Sequence, residues 1–222
     1  MKAINDVSLM KLADAALTNA EELLQEASAL LSAEHYARAY FLALASIEEV
    51  GKSAIAFNAA GRNLGDQKVA NAVKKKLLDH KSKIISAFAP SLHLTGSANL
   101  SEAMEAAMGL IGDLRRGREP SMYTEILPDG SVRLPSDIVR PVAARDVVRL
   151  AGHCLMRAQS YIPGGAPPKT SAADDFFYSQ STARLQEIMG HANFSDFYLG
   201  RIKAGASSLE EAIYEFVAKN AA

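Results

Sequence analysis

The sequence predicts an all-α fold: an antiparallel bundle of about five helices, a short β-hairpin-like excursion near 123–134, and a C-terminal helical appendage. Three observations predict it. Only 7% of the 222 residues are aromatic and none is Trp, while Ala, Leu, Glu and Lys are abundant, a composition that favours helix over strand. Apolar residues recur at three- and four-residue spacing over long stretches. Gly and Pro cluster at a few positions, where they punctuate the chain rather than interrupt it.

A first helix is expected from about Ser8 to Leu31, where Leu9, Leu12, Ala16, Ala20, Leu23, Leu24, Ala27 and Leu30 recur at helical spacing and Glu21, Glu22 and Glu26 fall largely on another face. Ser32 is a candidate cap for a second helix to about Asn58. Its stretch from Ala39 to Ile47 is apolar nearly all round and should be the most buried part of the protein. Gly61 and Gly65 mark the turn into a third helix, from about Asp66 to Ala89, with Pro90 as its stop. A fourth follows from about Asn99 to Arg118. Asp129-Gly130, between Tyr123–Ile126 and Ser131–Leu134, is a hairpin signal. Ser136 and Asp137 can cap a fifth helix to about Tyr161, with Pro141 in its first turn. These elements define a bundle over 1–162, a Pro/Gly-rich linker over 163–174, and an appendage over 175–222 whose last helix opens on the capping-box pattern Ser208-Leu-Glu-Glu211.

Composition also excludes function classes. With 24 Lys+Arg against 25 Asp+Glu the net charge is −1, which removes the bulk electrostatic case for a histone-like or polybasic membrane binder. A single cysteine, Cys154, rules out a disulfide scaffold or a cysteine-rich zinc module. The most apolar stretch, Phe41 to Ile47 with Ser46 its one polar residue, is far short of the roughly 20 residues that span a bilayer. The opening residues lack a signal pattern, so a cytoplasmic protein without membrane association is expected. A di-metal bundle would need two Glu-x-x-His motifs on separate helices; there is none, and no metal or other cofactor is expected.

Charge is nevertheless unevenly placed. Residues 61–160 carry 15 basic and 10 acidic side chains, whereas residues 1–60 carry 4 and 8. Within 62–83, Arg62, Lys68, Lys74, Lys75, Lys76, Lys81 and Lys83 face only Asp66 and Asp79, a stripe that suits either a phosphate backbone or solvent. Three clusters could carry chemistry. In Glu48-Glu49-Val-Gly51-Lys52 two carboxylates and a lysine follow the most apolar helix stretch, and each carboxylate is within helical reach of Lys52. Gly51, which costs a helix roughly 1 kcal/mol against Ala, is best explained by another backbone or a ligand coming close. His80 and Lys83 share a helix face and can serve as proton donor and phosphate ligand, or as a plain basic surface. Arg115, Arg116 and Arg118 close a helix ahead of Tyr123; arginine matches phosphate in bidentate fashion, and a helix C-terminus also favours it.

The string Tyr40-Phe-Leu-Ala-Leu-Ala-Ser-Ile-Glu48-Glu49-Val-Gly-Lys52, then His80-Lys-Ser-Lys83, then Arg118 ahead of Tyr123, resembles the AbiV family of abortive infection proteins, part of the HEPN superfamily (higher eukaryotes and prokaryotes nucleotide-binding). The resemblance covers roughly residues 8–161. It implies a HEPN-like bundle, an antiphage role, RNA as substrate, action as a homodimer, a phage protein as activator or target, and metal-independent endoribonuclease activity. On that reading the catalytic candidates are Arg118 as phosphate clamp, His80 or Tyr123 for proton transfer and Glu49 to orient a cation, with Lys52, Lys83, Arg115 and Arg116 as phosphate-binding candidates. The superfamily's nuclease signature is Arg, four to six residues, then His; here Arg118 is followed after four residues by Tyr123. Arg184 and His191 have the spacing but lie outside the resemblance, where it is read as coincidence. The alternative is a non-catalytic helical binding protein that blocks translation or sequesters a phage product.

Overall fold

The structure is a computed structural model and describes residues 4–94, 109–114, 116–162, 165–205 and 208–220. Helix α1 (Asp6–Ser32) starts two residues before the expected site because Asn5 and Ser8 form a reciprocal capping box. Ser32 does not cap the second helix. Its hydroxyl donates to the Ser28 carbonyl within α1 (3.0 Å), and the turn is made by Glu34 at φ 62°. Helix α2 (Tyr36–Ala59) is buried on nearly every face, as its apolar run anticipates, and packs against α1, α4 and α7. Its two buried serines are satisfied across the α1 crossing, Ser46 donating to the Ala20 carbonyl and Ser53 to the Ala13 carbonyl, each at 2.7 Å.

The expected third helix is two. Helix α3 (Gln67–Leu78) ends at Asp79, whose backbone is extended (φ −80°, ψ 117°) and whose carboxylate accepts from the Ser82 N–H (2.8 Å) and hydroxyl (2.6 Å). Asp79 thus caps a new helix, α4 (His80–Leu94), and places His80 in its first turn. Pro90 does not stop α4, which runs past it to Leu94. Of the expected fourth helix, 99–108 lie outside the described residues, while 109–114 and 116–118 are helical (α5). The hairpin forms, with β1 (Glu125–Ile126) antiparallel to β2 (Val132–Arg133) and Gly130 at φ 81° in the turn. The fifth helix is also divided. A single turn, α6 (Pro135–Ile138), precedes α7 (Pro141–Tyr161), because Pro141 is the first residue of the long helix and forces extended backbone before it.

Beyond the bundle, α8 (Ala172–Ser179), α9 (Thr182–Met189), α10 (Phe194–Lys203) and α11 (Leu209–Asn220) build a second apolar cluster around Ile188, Phe194, Ile213 and Phe216. Helix α8 begins at Ala172, inside the expected linker, because Ser171 caps it. Ser208 caps α11 as its pattern anticipates, accepting from the Glu211 N–H (3.3 Å). Buried Asp175 ties this unit to the bundle, accepting from Arg62 (3.0 Å), the Asn63 N–H (2.9 Å) and the Thr170 hydroxyl (2.8 Å).

Cys154 is buried in α7, and burial pushes its thiol up to about 12. The thiolate is the reactive form. This lone cysteine should therefore resist iodoacetamide at neutral pH and label only as the bundle unfolds in denaturant, which mass spectrometry along a urea series checks.

Candidate active site

Glycine sets the geometry of the site. A Cβ on Gly51 would overlap the Lys83 carbonyl group, so its absence lets the first turn of α4 lie directly on α2. At the other side a Cβ on Gly117 would overlap the Tyr40 hydroxyl, so the end of α5 also closes on α2. Gly51 is three residues from Glu48, which puts Glu48 under α4 rather than in solvent.

Three cationic or titratable side chains from two elements then converge on that one carboxylate. Arg118 Nε donates to Glu48 Oε1 at 3.0 Å; Lys83 Nζ lies 2.9 Å and His80 Nδ1 2.6 Å from Oε2. Glu48 is nearly sealed, its side chain 7% exposed; Lys83 is at 9%, Arg118 at 23% and His80 at 51%. The cluster thus grades from a buried anion to an imidazole open to solvent. Burial opposes ionisation of Glu48, but hydrogen bonds and charge from Lys83 and His80 outweigh it and hold its carboxyl below the usual carboxylate range. Burial likewise opposes the Arg118 charge, but the hydrogen bonds it donates to Glu48 and Glu119, with their negative charge, outweigh that and raise its pKa.

An ionised carboxylate only accepts hydrogen bonds, so the His80 nitrogen facing Glu48 carries the proton. Neutral His80 is then the tautomer with its lone pair on Nε2. Arg118 commits Nε to Glu48 and Nη1 to the exposed Glu119; among the described residues nothing engages Nη2, which can meet an anion. The chemistry available is a carboxylate-held imidazole base beside a guanidinium and an ammonium. Among the described residues, no group of three or more His, Cys, Asp and Glu is placed to hold a metal ion, and no helix is long and apolar enough to cross a membrane.

The other sequence candidates fall elsewhere. Glu49 pairs with Lys52 on its own helix, so it orients Lys52 and not Arg118. Arg116 pairs with Asp113 at the surface. Tyr123 is 52% exposed, in the turn after α5, where its N–H donates to the Glu119 carbonyl (3.0 Å). Arg115 lies outside the described residues. Arg184 and His191 line a separate cavity of about 280 Å³ in the appendage, where Arg184 pairs with Glu187 (2.7 Å) and His191 packs on Phe216. The residue missed as a site member is Glu48. Its signal was Gly51 three residues on, a helical neighbour of Glu48 and not of Glu49.

The HEPN-type AbiV family model matches residues 8–156. The chain belongs to the AbiV family. No curated protein and no solved structure matches it. The AbiV match holds the whole Glu48 cluster, from α2 through α4 to Arg118, and leaves α8 to α11 outside it.

Proposed function

We propose that this AbiV protein acts in antiphage abortive infection by cutting RNA without a metal ion, as a cytoplasmic homodimer whose activity is intrinsic to the purified protein. The observation that carries the reading is the half-exposed His80, fixed by a buried ionised Glu48 that also holds Lys83 and Arg118. His80 Nε2 takes the proton of a ribose 2′-OH; the 2′-oxygen attacks the adjacent phosphorus as the bond from phosphorus to O5′ breaks, and O5′ takes a proton from water. Arg118 clamps the phosphate and Lys83 adds positive charge behind it, where negative charge builds on the phosphoryl oxygens. Glu48 is a positioning residue in this scheme.

Purified protein is expected to cleave RNA in EDTA. His80→Ala should lower the rate by about 10²-fold or more, Arg118→Ala by a similar factor, with His80→Ala melting close to wild type because the ring is half exposed. Intact RNA with the wild type, or equal cleavage by His80→Ala, overturns the nuclease reading. One observation favours the non-catalytic alternative: after Arg118 and four intervening residues stands an exposed Tyr123, not His. A His80→Ala protein that still protects cells from phage would decide for a partner that blocks translation or sequesters a phage product.

A further inference from the structure

The basic stripe 62–83 does not all serve the Glu48 cluster. Lys83 does; Arg62, Lys68, Lys75 and Lys76 instead lie where α3 meets the linker and the turn between α8 and α9. Two adjoining cavities open there, of about 590 and about 510 Å³, both bordered by Lys76, Tyr178, Gln180 and Thr182. The first takes in Arg62 and Lys169; the second takes in Lys68 and Lys75 and reaches Asp79, the residue before His80.

Charge in this groove is unbalanced. Arg62, Lys68, Lys75, Lys76 and Lys169 line it against Asp79, Asp174 and Glu210. Two of those carboxylates are engaged as helix caps, Asp79 on Ser82 and Asp174 on Ser171. Asp175 neutralises Arg62, yet among the described residues the buried Arg62 Nε has no acceptor. Among the described residues no ion pair engages Lys68, Lys75 or Lys76. The Lys76 ammonium and the Arg62 guanidinium both lie against the Tyr178 ring, at 3.4 and 3.8 Å from its centroid. Burial and the neighbouring Arg62 bring Lys76 down to about 8. Cations crowded at a cost and short of counter-charge fit a surface completed by an anion.

We propose that the groove between α3 and the α8–α9 turn binds the sugar–phosphate backbone of the single-stranded RNA whose cleaved step lies at His80, with Lys68, Lys75 and Lys76 as phosphate contacts. The proposal rests on the RNA reading of the Glu48 cluster. The second cavity is bordered by Asp79 and Ser82, the sequence neighbours of His80 and Lys83 in the first turn of α4, so groove and base share one helix end, a continuity that a strand can use and an acidic peptide has no need of. Helices α8 and α9 lie beyond residues 8–156, so one wall of the groove comes from outside the AbiV match.

A short fluorescent 2′-O-methyl oligoribonucleotide has no 2′-OH to attack, so its anisotropy with the full chain reads binding alone. The doubly substituted Lys68→Gln/Lys75→Gln protein is expected to bind about tenfold more weakly, and its plot of log affinity against log salt to flatten by about 1.4, since a single-stranded phosphate contact contributes roughly 0.7. Both lysines are exposed, so the melting temperature should hold. Unchanged affinity and salt slope overturn the groove, as does polyglutamate that displaces the oligonucleotide and binds more tightly. Parallel cleavage of unmodified RNA separates the two readings. A wild type that cuts nothing while the lysine variant still loses binding refutes the nuclease and keeps the groove. Cleavage by the wild type with undiminished binding by the variant does the reverse.

Discussion

Glu48→Ala is expected to cost the fold about 3–5 kcal/mol, read as a lower midpoint in urea, and to abolish RNA cleavage with it. Lys83 is 9% exposed and its ammonium meets Glu48 at 2.9 Å; without the carboxylate a buried cation is left beside the guanidinium of Arg118. Glu48→Gln separates the two effects. The amide keeps the shape and part of the hydrogen bonding, so the stability loss should be smaller, but a neutral partner no longer holds protonated Nδ1 at His80, and cleavage should still fail. The pH dependence has a definite sign. The folded carboxyl titrates below its unfolded value, so its contribution is present above the ordinary carboxylate range and is lost as pH falls through the depressed folded value. Wild type should therefore lose stability more steeply on acidification than Glu48→Gln, which lacks that titration.

Much of the architecture was legible because single residues enforce it. The apolar run from Ala39 to Ile47 has no polar face to offer solvent, so α2 had to be central. Asp129-Gly130 supplies the one left-handed residue its turn needs, and Ser208 with Glu211 announces α11. The break at Asp79 was not legible from hydrophobic periodicity, since Val69 and Val73 before it and Ile84 and Ala87 after it are all buried at compatible spacing. It depends on Asp79 bonding Ser82 in preference to continuing the helix, a competition between two local hydrogen-bond patterns of similar strength. The site was half legible for a related reason. His80, Lys83 and Arg118 are the residue types the chemistry needs, but which of two adjacent carboxylates gathers them depends on helix rotation, and that is fixed only by where α4 crosses α2. Tyr123 and Arg116 drew notice by residue type and place in the chain, and neither brings a side chain inward.

That crossing is the basis of the second large effect, at Gly51. Replacing a helical glycine with alanine normally stabilises by up to about 1 kcal/mol, because the unfolded chain loses freedom and the helix gains propensity. Gly200, in α10, is the reference case: a Cβ there meets nothing within 4 Å, and Gly200→Ala should raise stability by roughly that amount. At Gly51 the sign reverses. The added methyl would overlap the carbonyl oxygen and carbon of Lys83 and come within 3.0 Å of its Cα. Those are backbone atoms in the first turn of a helix, so no side-chain rotation relieves the overlap, and α4 has to lift from α2. Gly51→Ala is therefore expected to destabilise by about 3 kcal/mol, the upper part of the range for overpacking, against a gain of at most about 1 from propensity. Because Lys83 and His80 ride on the displaced turn, their 2.9 and 2.6 Å contacts with Glu48 lengthen, and cleavage should fall even at temperatures where the variant remains folded. Melting curves of Gly51→Ala and Gly200→Ala, with cleavage measured well below both midpoints, check the whole chain of cause: one methyl group at a helix crossing, no ionisable residue touched, and a site that no longer assembles.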